Sequence, residues 1–543
     1  MDDASQPLEA TDQAARAQPT IEALLESLRV AAGEALERVY QLDQPTTIDQ
    51  LAIPIHSNEG QPSKVNLLLK REDASRVHSY KWRGAYNKIA SLVESGFDGR
   101  LVAASAGNHA QGVALAAAGA QLSATIFMPR STPLVKQDAV HELGGEHVEI
   151  RLVGDSFDQS AASAKAFAEA NDGTLIPPYD DLQVIAGQST IGVELVQQCL
   201  QPPTHVFLPI GGGGMAAGVA SILKQQLPDT RLIGVEAVDQ NSMGVSIAGG
   251  ERKTVGLLDR FCDGTAVACP GELPFRLCQH LVDEFVTVSN VEVCDAIQSM
   301  WQQRRIIVEP SAALGVAAAF AYQLTSDDRP LTILSGSNVD FQMLPRIARR
   351  GQLNRPERRY VGFEIDEQPG RLSSLLERFG EKINIIDFQY GKVADDNAYP
   401  IIGMEVPRSE IEFLNQFLND DNLPPHHDVT GSPAIEFRVI PFNFDLLNTP
   451  YFAVIQFPNR PGALREFMQE VGQRANVCYM NYTDDGQTEG HALMGFEFES
   501  FAYHSQFVEW LKETTQFQPV PTDQIRHINS TGANSERLKA FRS

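Results

Sequence analysis

At 543 residues the chain exceeds what one hydrophobic core supports, so roughly two to four domains are expected. Its 44 Lys and Arg against 69 Asp and Glu leave a net charge of −25, which argues against nucleic acid or an anionic membrane as partner and favours solubility. No apolar run approaches the ~20 residues of a membrane span, and the acidic start Met1-Asp2-Asp3-Ala4-Ser5 lacks the apolar stretch of a secretory signal, so a cytoplasmic location is expected.

Residues 1–20 are rich in Ala, Gln and Asp and are expected to be disordered. Ile21, Leu24, Leu25 and Leu28 then recur at helical spacing until Pro45-Thr46-Thr47 ends the pattern. From about 50 to 345, short apolar runs alternate with Ala-rich helical patterns. The runs are Val65–Leu69, Leu101–Ala104, Thr125–Met128, Val148–Leu152, Val206–Pro209, Leu232–Val235, Phe285–Val288 and Leu331–Leu334. That alternation predicts an α/β fold with largely parallel sheets, in which ligands bind where strands end and helices begin. Residues 351–359 are polar and basic and read as a linker.

Beyond the linker the chain repeats at a constant offset of 92 residues, Pro369-Gly370 matching Pro461-Gly462. The same offset pairs Leu372 with Leu464, Gly380 with Gly472, Asn384 with Asn476, Tyr390 with Tyr482, Gly403 with Gly495 and Glu405 with Glu497. An ungapped match of this kind indicates a duplicated module, at 360–431 and 452–523. Each copy reads strand, Pro-Gly turn, helix, strand, turn, strand, helix, a small α+β sandwich. The tail 524–543 is polar and expected to be loose.

Four stretches at predicted strand-to-helix junctions carry candidate chemistry. In Ser79-Tyr80-Lys81-Trp82-Arg83-Gly84-Ala85, Lys81 reads as the carrier of a covalent aldehyde cofactor, against the plain alternative of a solvated lysine at a helix start. Ser105-Ala106-Gly107-Asn108-His109 exposes the first amides of a helix, which suits a carboxylate, and Asn108 can offer an amide donor. Ordinary helix capping by Ser105 or Asn108 is the rival reading. His109 has no partner nucleophile nearby in sequence. Gly211-Gly212-Gly213-Gly214-Met215 can close backbone amides around a phosphate. No Lys-Ser/Thr follows, so it is not a nucleotide P-loop. A dinucleotide site remains open, since Gly211-x-Gly213-x-x-Ala216 is followed by Glu236 at the distance of a ribose ligand, as does a simple flexible turn. Ser335 in Ser335-Gly336-Ser337-Asn338 could bond a ring nitrogen or merely make a turn. The six cysteines show no CxxC pairing, so neither a metal centre nor a disulfide framework is expected.

Taken together these motifs resemble pyridoxal-phosphate enzymes of the tryptophan-synthase-β fold type, and among them the biosynthetic threonine dehydratases. Lys70-Arg71-Glu72-Asp73, Ile185-Ala186-Gly187-Gln188 and Val308-Glu309-Pro310-Ser311 add to the resemblance, which spans roughly residues 50–525. It implies a two-lobed catalytic domain at 21–350 followed by two ACT-like regulatory modules. It further implies that Lys81 holds pyridoxal 5'-phosphate as a Schiff base and later acts as the base at Cα. Gly211, Gly212, Gly213, Gly214 and Met215 would cradle the phosphate, Asn108 would bond the ring's 3′ oxygen, and Ser335 would face the pyridine nitrogen. Ser105, Ala106, Gly107, Asn108 and His109 would bind substrate. The implied reaction converts L-threonine to 2-oxobutanoate and ammonia, with L-serine as the alternative substrate. Isoleucine would be the feedback inhibitor, valine its opponent, and the assembly a homotetramer. Serine racemase, a relative, carries a serine where Ala106 stands, so Ala106 favours dehydration over racemisation. That relative's divalent-cation site has an acid six residues beyond the position of Glu236, where this chain has Ser242, and no metal is expected.

Overall fold

The computed structural model describes residues 19–55, 63–130, 132–154, 157–256, 261–352 and 355–522, the last with breaks at 369, 381, 393–395, 431–439, 441, 459–462, 484–488 and 516. Most of both expected loose termini therefore lies outside the described residues. The chain divides into two compact units, Met1–Gly351 and Gln352–Ser543.

The first unit is built as the alternating pattern predicts. Helix α1 (Ile21–Val39) leads into strands β1 (Ile48–Ile55) and β2 (Ser63–Lys70) and helix α2 (Lys81–Glu94). A second group follows: β3 (Leu101–Ala104), α3 (Asn108–Ala120), β4 (Ala124–Met128), α4 (Leu134–Gly144), β5 (Val148–Leu152), α5 (Phe157–Ala170) and β6 (Thr174–Leu175). These four strands form a parallel sheet in the order β5-β4-β3-β6. The chain then continues with α6 (Leu182–Gln198), β7 (His205–Pro209), α7 (Gly214–Gln226), β8 (Arg231–Ala237), α8 (Ser242–Gly249), α9 (Glu272–Leu281), β9 (Glu284–Val288), α10 (Asn290–Arg304), α11 (Pro310–Ala321), β10 (Pro330–Ile333) and α12 (Leu344–Gln352). The second sheet runs β1-β2-β10-β7-β8-β9, parallel throughout except for β1 against β2. Both sheets are covered by helices, which is why strands β3, β4, β7, β8 and β10 read as apolar runs rather than as alternation. Among the described residues no helix is long and apolar enough to cross a membrane.

A buried ionic cluster ties the start of α2 to this scaffold. The Arg83 guanidinium donates to both carboxylate oxygens of Glu72 at 2.8 and 2.9 Å and to Glu194 on α6 at 2.6 Å. Lys70, ending β2, bonds the other Glu194 oxygen and the Thr46 carbonyl. All four charged side chains are at 0% exposure. Burial pulls Lys70 below the usual lysine range. For Glu194 burial works upward, but Arg83 and Lys70 outweigh it and hold its carboxyl low.

In the second unit the expected duplication is visible strand by strand. The first copy comprises β11 (Arg358–Phe363), β12 (Ile365–Asp366), α13 (Arg371–Glu377), β13 (Asn384–Gly391), β14 (Asn397–Ala398), β15 (Ile401–Glu405), α14 (Ile411–Leu418) and β16 (His426–Asp428). The second comprises β17 (Tyr451–Pro458), α15 (Ala463–Gly472), β18 (Asn476–Thr483), β19 (Glu489–Glu497), α16 (Phe501–Thr514) and β20 (Phe517–Val520). β13 and β18 stand at the 92-residue offset, and each carries a bulge at the matching place, between Ile385 and Asp387 and between Val477 and Tyr479. The two copies join edge to edge: β13 pairs antiparallel with β18, and Gln389 pairs with its own repeat mate Asn481. The result is one eight-stranded sheet, β16-β11-β15-β13-β18-β19-β17-β20, over one shared core. Each copy also closes with a short edge strand, β16 or β20, that the sequence pattern did not suggest. The expected linker is shorter than 351–359, since α12 runs to Gln352 and β11 starts at Arg358.

Candidate active site

Four loops leave the carboxyl ends of parallel strands β2, β3, β7 and β10 and meet in the first unit. The segment before α2 is stitched to the loop after β10: Tyr80 N donates to the Ser335 carbonyl at 3.1 Å, Ser337 N to the His78 carbonyl at 2.9 Å, and Asp73 N to the Leu334 carbonyl at 3.0 Å. His78 turns the chain at φ 55°, a left-handed conformation that costs a non-glycine residue roughly 1–2 kcal/mol. This stitching aims the first residue of α2, Lys81, into the cavity that the four loops enclose.

Lys81, Asn108, Gly211, Gly212, Gly213, Gly214, Met215 and Ser335 all line that cavity. Lys81 makes no ion pair or hydrogen bond among the described residues, and its Nζ lies 5.8 Å from the Tyr80 ring centre. Burial lowers its pKa from the usual lysine range, against the pull of Glu309 and Asp263. A larger share of the amine is then unprotonated, which is what nucleophilic attack on a carbonyl requires. Ser335, 4% exposed, likewise has no partner for its hydroxyl among the described residues.

The glycine loop joins β7 to α7 and has no room for side chains. A Cβ on Gly211 would stand 2.8 Å from the Thr265 backbone and one on Gly212 2.4 Å from the Tyr179 ring, while Gly213 adopts φ 90°. The loop therefore presents bare backbone at a helix N-terminus, where amides point outward and the helix dipole favours an anion.

The Ser105–His109 loop is brought only partly to the cavity. Asn108 lines it, whereas Ser105, Ala106 and Gly107 stand beside it at the N-terminus of α3, Ser105 accepting the Gly107 amide at 3.2 Å. His109 turns away: its Nε2 bonds the Ile176 carbonyl at 2.8 Å, and burial, with Lys81 adding, pushes its pKa down to about 4. A neutral, sequestered imidazole is no candidate base, in keeping with its lack of a nearby partner in sequence.

Three wall residues come from segments that sequence reasoning did not single out as site residues: Tyr179, Thr265 and Glu309. Glu309 opens α11, and burial, with Asp263 adding, pushes its carboxyl up to about 7. Its place in Val308-Glu309-Pro310-Ser311 was the available signal. Glu236, the ribose ligand of the dinucleotide reading, is 1% exposed and bonds the Met243 and Gly244 amides at 2.9 and 2.8 Å, capping α8. Both its oxygens are turned to the α8 backbone, and Glu236 is not among the residues that line the cavity.

The donor set fits pyridoxal phosphate. An unpaired lysine, a side-chain-free anion cradle, an amide and an unpartnered hydroxyl share one cavity, matching an aldehyde, a phosphate, a phenolic oxygen and a ring nitrogen.

Residues 49–336 match the family of pyridoxal-phosphate dependent enzymes. Residues 349–437 and 447–517 match the C-terminal regulatory domain of threonine dehydratase. The chain is 35% identical over 438 residues to the biosynthetic, chloroplastic threonine dehydratase of Arabidopsis thaliana, covering 80% of this chain and 73% of that protein. It is 33% identical over 464 residues to the biosynthetic L-threonine dehydratase of Escherichia coli, covering 82% and 87%. Among solved structures, the processed form of threonine deaminase isoform 2 from Solanum lycopersicum aligns with a TM-score of 0.56 at 38% identity, over 61% of this chain and 89% of that one.

Proposed function

The chain belongs to the pyridoxal-phosphate-dependent biosynthetic threonine dehydratases, and we propose that it converts L-threonine to 2-oxobutanoate and ammonia, in the cytoplasm and as a homotetramer. The observation that carries this reading is the unpaired, pKa-lowered Lys81 sharing one cavity with the tetraglycine loop and Ser335. The β-hydroxyl leaves as water, and water is taken up again when the resulting imine hydrolyses, so the net loss is ammonia.

Pyridoxal phosphate, when bound, supplies an electron sink for the pair left by the Cα proton. Gly211–Gly214 and Met215 would hold its phosphate, Asn108 its phenolic oxygen and Lys81 its aldehyde carbon. Freed from that bond, Lys81 is the group to take the Cα proton at Nζ, with its lowered pKa favouring the free amine. Ser335 would offer the ring nitrogen a neutral partner in place of a carboxylate, a setting that would favour loss of the β-hydroxyl. The first amides of α3, in the Ser105–His109 loop, would take the substrate carboxylate.

An absorption band near the violet edge from the purified protein, together with 2-oxobutanoate formed from threonine, tests the reading; neither in cofactor-supplemented protein would refute it. L-Serine fits the same machinery less one methyl group, worth roughly 10–200-fold in kcat/KM; a serine value equal to that for threonine would make this a serine dehydratase. Gly211→Ala forces the Thr265 backbone aside, since the added Cβ would stand 2.8 Å from it. Cofactor affinity is expected to fall at least about tenfold, read by equilibrium dialysis.

The second unit, on this reading, binds isoleucine as inhibitor and valine as its opponent. Support comes from a pocket where the copies meet, lined by Glu367, Arg371, Leu372 and Tyr390 of the first copy and Met468 and Val477 of the second. It offers both charges and an apolar wall to a branched amino acid. An effector acts by preferring one state, and a tenfold preference needs only ~1.4 kcal/mol. Truncation after Gln352 is expected to leave dehydratase activity and abolish the isoleucine response. Unchanged inhibition of the truncated enzyme would place the effector site in the first unit.

A further inference from the structure

The side-chain amide of Asn108 is held from both ends. Its Nδ2 donates toward the two oxygens of Glu309, at 2.9 and 3.1 Å, and its Oδ1 accepts from Asn338 Nδ2 at 2.7 Å. Two oxygens of one carboxylate lie in nearly the same direction from Nδ2, so they share one N–H. The second N–H has no partner among the described residues and is left for the cavity that Asn108 lines.

An amide is nearly symmetrical in shape, so something must stop it turning over. Here the constraint starts at a backbone carbonyl. Asn338 Nδ2 donates to the Val77 carbonyl at 3.0 Å. A carbonyl can only accept, so Asn338 turns its NH2 to that side, and its remaining N–H needs an acceptor, which is Asn108 Oδ1. Glu309 closes the other end as an acceptor. Gly336 leaves space for this bond: a Cβ there would stand 2.9 Å from Glu309 Oε1 and 3.1 Å from Asn108 Nδ2.

We propose that Asn338 is a positioning residue, which with Glu309 fixes the Asn108 amide so that an N–H, and not the carbonyl oxygen, faces an anionic oxygen in the cavity. The inference rests on the reading of that cavity as the pyridoxal-phosphate site. It assigns a role to Asn338, a motif residue to which neither fold nor cofactor binding had given one.

The test is a pH titration of the absorbance of the lysine-bound chromophore in the full-length holoenzyme. A donor at an anionic oxygen stabilises the deprotonated form and lowers the midpoint. Asn338→Asp keeps the size and replaces the donor with an acceptor, so Asn108 is driven to turn its NH2 toward position 338. The midpoint is expected to rise by about one pH unit, a tenfold change in proton affinity, and the dissociation constant of pyridoxal phosphate to rise at least about tenfold. Asn338→Ala leaves Glu309 to hold the amide alone, and a smaller rise in the same direction is expected. Ser337→Ala is the control: it removes the neighbouring bond from Ser337 Oγ to the Asp73 carbonyl at 3.2 Å without touching the amide chain, and the wild-type midpoint is expected. A wild-type midpoint in both Asn338 variants overturns the proposal, as does an equal rise in Ser337→Ala, which would make the effect one of loop disturbance. A wild-type protein that forms no chromophore refutes the cofactor reading itself and this inference with it.

Discussion

Lys81→Ala is expected to fold, to bind no cofactor covalently and to lose turnover of threonine by at least about 10³-fold. A positioned general base alone contributes roughly 10²–10⁴-fold, and the same amine is also the covalent anchor. A loss of 10⁴ corresponds to ~5.5 kcal/mol of barrier. Folding should survive because Lys81 makes no ion pair or hydrogen bond among the described residues, and removing it leaves no partner stranded. Burial disfavours its charged form, so the wild-type protein carries a small electrostatic burden that the variant sheds. Lys81→Arg should be equally inactive, because a guanidinium stays protonated and cannot attack an aldehyde carbon. Turnover, the absorption spectrum after cofactor supplementation and the far-ultraviolet circular dichroism of each variant decide the matter. A variant that is pure, folded and as fast as wild type would remove Lys81 from the chemistry.

How much of this was legible in sequence follows from what each feature depends on. Strand β3 begins and ends where its apolar run does, because Arg100 and Ser105 flank it and it is buried along most of its length, while β5 matches its run as an edge strand with Glu149 and Leu152 exposed. β1 leaves no continuous apolar run because Ile48–Ile55 interleaves Asp49, Gln50 and Pro54 with its apolar residues, as an antiparallel edge strand permits. β16 reads His-His-Asp, which carries no strand signal and pairs only because β11 offers a free edge. The repeat was visible because offset matching needs no structure; that its copies fuse through β13 and β18 was not, since edge pairing leaves no mark on either strand alone.

The site divides the same way. Lys81, Asn108, the glycines and Ser335 sit on short motifs beside strand ends, so local pattern finds them. Glu309 and Thr265 reach the cavity from far along the chain. The roles of Asn338 and of the Lys70–Asp73 stretch depend on partners that lie 230 and 124 residues away, Asn108 and Glu194. His109 shows the converse: a motif position whose side chain is turned to the Ile176 carbonyl, because the first turn of α3 points it into the core of its sheet.

The buried cluster at Arg83 yields the other large effect expected. Arg83→Met should destabilise the first unit by roughly 3–5 kcal/mol, because among the described residues it leaves the Glu72 carboxylate with no ion pair and Glu194 with Lys70 alone, both at 0% exposure. The arithmetic in the native protein is two cations to two carboxylates, each carboxylate using both oxygens. Glu72 accepts Arg83 on both oxygens and the Thr46 hydroxyl on one, and Glu194 accepts Arg83 and the Tyr40 hydroxyl on one oxygen and Lys70 on the other. Arg83→Lys should recover little, since one ammonium cannot reproduce a fork that reaches Glu72, Glu194 and Thr190 together. The charge-removing combination Arg83→Met with Glu194→Gln should be less destabilised than the sum of its parts, because it no longer strands that carboxylate. Unfolding has to be followed in the first unit, by a probe such as the cofactor absorbance, since a two-unit chain need not unfold in one step. A loss below about 1 kcal/mol in Arg83→Met would mean that water or a local shift rescues the stranded carboxylates and that the cluster does not hold α2 in place. If it does hold α2, the same variant has a second consequence: Lys81 lies two residues before Arg83 on the same turn, so cofactor affinity should fall with stability, whereas a stability loss at unchanged affinity would separate the clamp from the site.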